Sequence, residues 1–342
     1  MHPYVTDDFP AISAAWKQTP DDFLVDEIPA YPPSGDGDHT WLHVEKRDLT
    51  TAEAAKRLAR ALDVDPREVG WAGMKDRVAI TTQWLSFPKV AVEKAESVEL
   101  EDIRVRQVTK HTNKLRNGHL HGNRFELVLR NVATEQHETV RGVVDALTER
   151  GLPNYYGDQR FGTDGDNAER ALSWILGKTK PPRAPFECKL LVSALQSELF
   201  NTVLAERIES GLLSDAVDGD LLRKEDTGGL FTTEDLDDAR ARVRSWAVSP
   251  TGPMFGASMR WPERASKARE LAVLERRGLT VEGLSVFKRW GEGTRRPMRT
   301  RLAEVAVESV DSTSLRLKFT LPAGSYASVV VREITKTAPE PP

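Results

Sequence analysis

Cysteine is nearly missing from this chain, with Cys188 the single one in 342 residues. One thiol cannot form an internal disulfide, and no cluster of cysteines suggests a zinc site. Long apolar runs are missing as well: nothing approaches the ~18–20 consecutive apolar residues of a membrane-spanning helix. Met1 to Trp16 carry Asp7, Asp8 and Pro10 where a signal peptide has a basic head and an apolar run. Several catalytic signatures are also lacking. There is no G-x-S-x-G elbow, no H-E-x-x-H helix, no G-x-x-x-x-G-K-[ST] phosphate loop and no G-x-G-x-x-G turn. The P-C-x-x-C motif that zinc deaminases pair with H-x-E is missing too. His39 and His43 stand four apart, but in loop and strand-like sequence, which argues against a metal site. These absences predict a reducing, cytoplasmic location with no membrane span, and they argue against a zinc site.

What is present is an ordinary globular balance, 39% apolar and 29% charged, far from the composition of disordered chains. The length suits two domains, or one domain carrying an insertion. A net charge of −4 argues mildly against a polyanion partner, yet the basic residues are unevenly spread. From Arg104 to Arg124 there is no Asp or Glu, while Arg104, Arg106, Lys110, Lys114, Arg116 and Arg124 all occur. Lys288, Arg289, Arg295, Arg296, Arg299 and Arg301 form a second run, opposed only by Glu292. Either run alone could be a solvated face; two on a net-acidic chain point towards nucleic acid.

Periodicity predicts mixed elements. Tyr31 to His39 reads as a loop and Thr40 to Val44 as a strand. Thr50 or Thr51 caps a helix through Ala54, Ala55, Leu58, Ala61 and Leu62. Strands are expected over Val78–Phe87, Phe125–Leu129 and Leu315–Leu321, and a helix through Val140, Val143, Val144 and Leu147 that stops near Gly151. Further helices are expected over Ala168–Leu176 and Ser193–Ile208, and a disordered tail from Thr335 to Pro342. Helices and strands without a βαβ rhythm favour an α+β fold.

The local chemistry singles out Ala72-Gly73-Met74-Lys75-Asp76-Arg77. Gly73 allows a tight turn, which puts Asp76 at the mouth of the following strand. Flanking cations favour the charged carboxylate that a nucleophile or electrostatic stabiliser at a sugar carbon needs. The plain alternative is an Asp that caps a turn. Cys188, between Glu187 and Lys189, reads as a bystander thiol.

Several segments together resemble the TruD family of tRNA pseudouridine synthases, in the family's order, across residues 17–334. They are Asp21-Asp22-Phe23-Leu24-Val25-Asp26-Glu27, the Ala72–Arg77 hexamer with Thr81 to Trp84, Lys114-Leu115-Arg116 with Gly122-Asn123-Arg124-Phe125, Asn154 to Gly162, Gln196 to Asn201, and Leu321 to Ala327 with Arg332-Glu333. The resemblance implies a catalytic domain of mixed, largely antiparallel sheet with helices, split as residues 1–150 and 300–334. Between them it implies an inserted α/β TRUD domain over 151–299, with 335–342 as a tail. It implies isomerisation of uridine 13 in the D arm of tRNA to pseudouridine, by a monomer without metal, cofactor or protein partner.

Carried over by position, the resemblance makes Asp76 the catalytic carboxylate and Lys17 its basic partner. Phe23, Asn123 and Tyr326 fall where the target nucleotide is held, with Phe125 packed beneath. Tyr326 departs from the usual Phe, Tyr156 stands where Phe is common, and Asp158 where Glu or Ala can stand. Two other classes remain open at this point: a catalytically silent RNA-binding protein, and a nucleoside N-ribosylhydrolase, which needs a second carboxylate.

Overall fold

The computed structural model describes residues 2–337. In chain order the first elements are β1 (Phe23–Pro29), β2 (His39–Arg47), α1 (Thr51–Ala61), β3 (Gly70–Trp71), β4 (Ile80–Pro88), α2 (Val92–Glu96), β5 (Ile103–His111), β6 (Leu120–Arg130) and α3 (His137–Arg150). Then come β7 (Leu152–Pro153), α4 (Asn167–Ile175), α5 (Pro185–Glu209), β8 (Leu222–Lys224), β9 (Leu230–Phe231), α6 (Leu236–Arg244), β10 (Val248–Met254), α7 (Arg264–Arg276), β11 (Thr294–Pro297) and β12 (Arg299–Thr300). The chain returns with β13 (Ala303–Asp311), β14 (Ser314–Pro322) and α8 (Ala327–Thr335). The described residues divide into two compact units, one of 11–142 with 302–327, the other of 2–10, 143–301 and 328–337.

The first unit is built on one sheet in the order β13-β14-β6-β1-β4-β2-β5, with β3 also against β4. β1 and β4 run parallel, and the other neighbours antiparallel. β14 shows why: Leu315, Leu317, Phe319 and Leu321 alternate with polar residues and are all buried, so one pleat face is apolar. α1 covers the β2–β4 part of the buried face. Thr50 accepts from the Glu53 amide at 3.2 Å while the Glu53 carboxylate accepts from the Thr50 amide at 3.0 Å, a reciprocal cap. Ala54, Ala55, Leu58 and Ala59 then pack on Leu42, Val44, Leu85 and Phe87.

In the second unit, β11-β10-β8-β9 form an antiparallel sheet and β12 pairs β7. The long helix α5 is buried on most of its circumference, through Leu191, Leu195, Leu199, Phe200 and Leu204 among others. It begins at Pro185, earlier than the expected Ser193, because Pro at the first helical position needs no amide partner. Two ion pairs are sealed in this unit. Arg207 grips Asp220 at 2.6 and 3.0 Å, and Arg295 grips Glu270 at 2.7 and 2.9 Å.

The mixed α+β class is as expected, and two local readings change. Arg295 and Arg299 belong to the second basic run but are buried, so they serve the interior and cannot reach phosphates. Arg299 donates to the carbonyls of Arg150 and Val243 and lies over the Trp246 ring at 3.9 Å, and burial lowers its pKa to about 10. The expected tail from Thr335 begins inside α8, and its residues 338–342 lie outside the described ones. Among the described residues, no helix is long and apolar enough to cross a membrane.

Candidate active site

The hexamer around Asp76 fills the connection between β3 and β4, and four bonds pin it to the buried sheet face. Gln83 Nε2 donates to the Gly73 carbonyl at 3.4 Å. The Lys75 amide donates to Thr51 Oγ1 at 2.9 Å, and that hydroxyl donates on to Gln83 Oε1 at 2.8 Å. Lys75 Nζ meets Glu27 Oε2 at 2.5 Å, both side chains buried. Lys46 Nζ donates to the backbone carbonyl of Asp76 at 2.9 Å and also to that of Leu49. Lys46 is fully buried, and the loss of hydration lowers its pKa to about 8. Burial likewise raises the Glu27 carboxyl, against the opposing pull of Lys75.

Gly73 serves this anchor differently from the sequence expectation. It does not adopt a left-handed backbone; a Cβ there would stand 3.3 Å from Lys75 Nζ. Its smallness leaves room for the amine that reaches Glu27.

With its backbone fixed, the Asp76 side chain stays open, 45% exposed. Lys17 Nζ meets its Oδ2 at 3.1 Å. The other carboxylate oxygen accepts no hydrogen bond among the described residues. Lys17 itself is enclosed, its side chain 11% exposed, with Nζ 4.3 Å from the Phe23 ring centroid and 4.5 Å from that of Trp16. Each such contact is worth about 0.5–2 kcal/mol. Lys17 also holds φ at 52°, a left-handed backbone that costs a non-glycine residue roughly 1–2 kcal/mol. Packing that overrides this strain aims the amine at Asp76.

Phe23, Phe125 and Asn123 come to one face because residues opposite each other in adjacent strands point the same way. Val25 is opposite Phe125 and Glu27 opposite Asn123, while Leu321 faces Asn123 from the other side. Phe23 and Phe125 stack with centroids 6.0 Å apart. Phe23 is only 1% exposed, so it supports Lys17 from beneath and has no open ring face. Asn123 Oδ1 is buried without a hydrogen-bond partner among the described residues, a costly state for an acceptor.

The Gly122 before it tolerates no Cβ, which would fall 2.2 Å from the Leu321 carbonyl oxygen. This close approach ties the turn after β14 to β6, where Ala323 donates to the His121 carbonyl at 2.9 Å. Gly324 turns with φ at 82°, and half-buried Tyr326 follows. Of the residues singled out in the sequence, Asp76 by its neighbours and Lys17, Phe23, Asn123, Phe125 and Tyr326 by the resemblance, Asp76 pairs with Lys17 and Phe23 stacks on Phe125; the anchors Glu27, Lys46, Thr51 and Gln83 were not singled out.

Other sequence candidates sit elsewhere. Cys188 is buried in α5 with its thiol 3.4 Å from the Pro182 carbonyl. His43 stacks on Trp84. In the first basic run, Arg106 pairs with Glu45 and Arg124 with Glu304, while Arg104 and Arg116 are exposed and make no ion pair among the described residues.

Comparison with known proteins extends this picture. The family model of tRNA pseudouridine synthase D (TruD) matches residues 1–178 and 187–334. A tRNA pseudouridine synthase D of Anaeromyxobacter sp. is 46% identical over 348 residues, covering 99% of this chain and 97% of the relative. One from Thermus thermophilus is 40% identical, covering 98% and 92%. The crystal structure of a TruD protein from Methanosarcina mazei superimposes with a TM-score of 0.79 at 24% identity, over 99% and 97% of the two chains, a likeness of fold. On the match of family model and relatives, the chain belongs to the tRNA pseudouridine synthase D (TruD) family of isomerases.

Proposed function

We propose that this protein converts uridine 13 in the D arm of tRNA to pseudouridine, with Asp76 acting at the C1′/C2′ region of the ribose. The observation that carries this reading is the half-exposed Asp76 carboxylate on a pinned backbone, one oxygen held by an enclosed Lys17 and the other without a hydrogen bond among the described residues.

The reaction breaks the bond from uracil N1 to ribose C1′, turns the base and joins C5 to C1′. A proton leaves C5 and one is taken up at N1, so the product is an isomer of the substrate. A stacked uridine is out of reach, and flipping it costs a few kcal/mol. Stacking on an aromatic face returns about 1–3 kcal/mol, and Tyr326 takes this role while Phe23 and Phe125 form the floor. Lys17 orients Asp76 and offsets its charge. The unpartnered Oδ1 of Asn123 accepts an N–H from the uracil edge, which satisfies an otherwise costly buried atom.

Exposed Arg104 and Arg116 contact phosphates, which positions tRNA without reading its sequence. A nucleoside hydrolase needs a second carboxylate as acid or base, and the two tied to this loop are engaged: Glu27 is sealed against Lys75 and the Trp84 amide, and Asp48 faces Arg77 at 3.6 Å. In this reading residues 151–299 are the inserted TRUD domain, and the protein works as a cytoplasmic monomer.

The test is pseudouridine mapping in an unmodified tRNA transcript, by carbodiimide adducts that stop primer extension. A single enzyme-dependent stop at position 13 is the expected result. A stop at another position moves the target. Release of free uracil, with no stop, contradicts isomerisation.

A further inference from the structure

Met74 stands in the loop that carries Asp76. It is 66% exposed, and among the described residues of its unit only Val310, at 47%, joins it as an exposed large apolar side chain. Val310 sits near the β13–β14 hairpin tip. Met74 sits two residues before Asp76, so the two Cα atoms are at most about 7 Å apart. Its exposure is not slack in the chain. Gly73 is held by Gln83, Lys75 by Thr51 and Glu27, and Asp76 by Lys46, so the backbone on both sides of Met74 is fixed.

An apolar side chain pinned in water beside a charged carboxylate costs free energy that burial would recover, at about 25 cal/mol per Å². Among the described residues of its own unit, none covers the exposed two-thirds of it.

We propose that Met74 is the wedge that enters the stack of the RNA when the target nucleotide is flipped towards Asp76. The inference rests on the reading of Asp76 as the group at the ribose. Extruding a base leaves an apolar gap between its two stacked neighbours, and an inserted apolar side chain fills such gaps in bent or unstacked nucleic acids. Methionine suits the task because it is unbranched and polarizable, and adapts to the uneven faces of the flanking bases. The spacing suits it as well: Asp76 meets the sugar of the extruded nucleotide, and a residue two positions away on a rigid loop meets the space it vacated. Met74 therefore acts on flipping and not on the bond-making step.

Met74→Ala, Met74→Leu and Asp76→Asn test this on two substrates, the folded tRNA transcript and a short single-stranded oligonucleotide with the same local sequence. Met74→Ala should lose about tenfold or more in kcat/KM on tRNA but at most about twofold on the oligonucleotide, whose uridine needs little unstacking. Met74→Leu should recover most of the tRNA rate. A second readout applies even if the oligonucleotide turns over poorly. tRNA carrying 2-aminopurine beside the target should brighten when Asp76→Asn protein binds. It should brighten far less with the Met74→Ala/Asp76→Asn protein at equal occupancy.

Equal losses on both substrates, no loss on tRNA, or unchanged 2-aminopurine brightening would each overturn the wedge. Turnover surviving in Asp76→Asn would instead overturn the reading of the site, whatever Met74 does.

Discussion

Asp220 and Asp76 are both aspartates paired with a cation, and they are treated in opposite ways. Asp220, in the unit containing α5, is enclosed and accepts four hydrogen bonds: two from Arg207, one from the Ser266 hydroxyl and one from the Val217 amide. These contacts outweigh its burial and leave the carboxyl below the usual range. Asp76, in the sheet unit, accepts one side-chain hydrogen bond and keeps one oxygen and nearly half of its side-chain surface open. Yet its backbone is tied from behind, by Lys46 at its own carbonyl and by Thr51 at the neighbouring Lys75 amide. A carboxylate whose every lone pair is used can only hold a fold together. One that is positioned from behind and left unsatisfied in front can bind or attack something else.

If the two aspartates differ in this way, their substitutions have opposite consequences. Asp76→Asn should cut kcat by at least about 10³-fold, as expected for a group that reacts, with tRNA affinity changed less than about threefold. Arg207→Met should cost about 3–5 kcal/mol in stability because it strands Asp220 without its cation, measured by denaturant unfolding, while kcat per folded molecule stays within about twofold. Lys17→Met sharpens the contrast: it should lower kcat about 10²-fold, and Lys17→Arg should recover part of that.

Lys46→Met should cost about 1–3 kcal/mol by leaving the Leu49 and Asp76 carbonyls unpaired. The pH dependence of this last effect has a definite sign. The folded pKa is about 8 and the ordinary value 10.5, so between these the unfolded chain binds more protons at this site. Stability contributed by Lys46 therefore rises from about pH 8 to 10.5, and the deficit of Lys46→Met should widen over that window. Parallel pH curves for the two proteins would contradict the assignment.

Much of the fold was legible where one face of an element is buried. β14 showed a clear period of two, and α1 a capping pair followed by apolar residues at helical spacing. Asp76 stood out because Lys75 and Arg77 flank it. Lys17 lay beyond local reasoning, since it sits in an irregular segment 59 residues from its partner, and only the resemblance reached it.

The buried anchors left a readable trace that was not used. Lys46 is in phase with Leu42 and Val44 on β2, and Glu27 with Phe23 and Val25 on β1. A charge on the buried phase of a strand must find a partner inside, and both find theirs at the loop that carries Asp76. The second basic run misled for the converse reason: a cluster of arginines in sequence carries no information about which way each one faces. Arg295 and Arg299 face inward.

The contrast between the two aspartates is tested most directly by two substitutions, each read on two axes. Single-turnover conversion of a tRNA transcript and denaturant unfolding would be measured for wild type, Asp76→Asn and Asp220→Asn. Asp76→Asn should abolish conversion and shift stability by less than about 1 kcal/mol, while Asp220→Asn should lose several kcal/mol of stability and still convert the tRNA when folded. Full conversion by a folded Asp76→Asn protein would contradict that contrast.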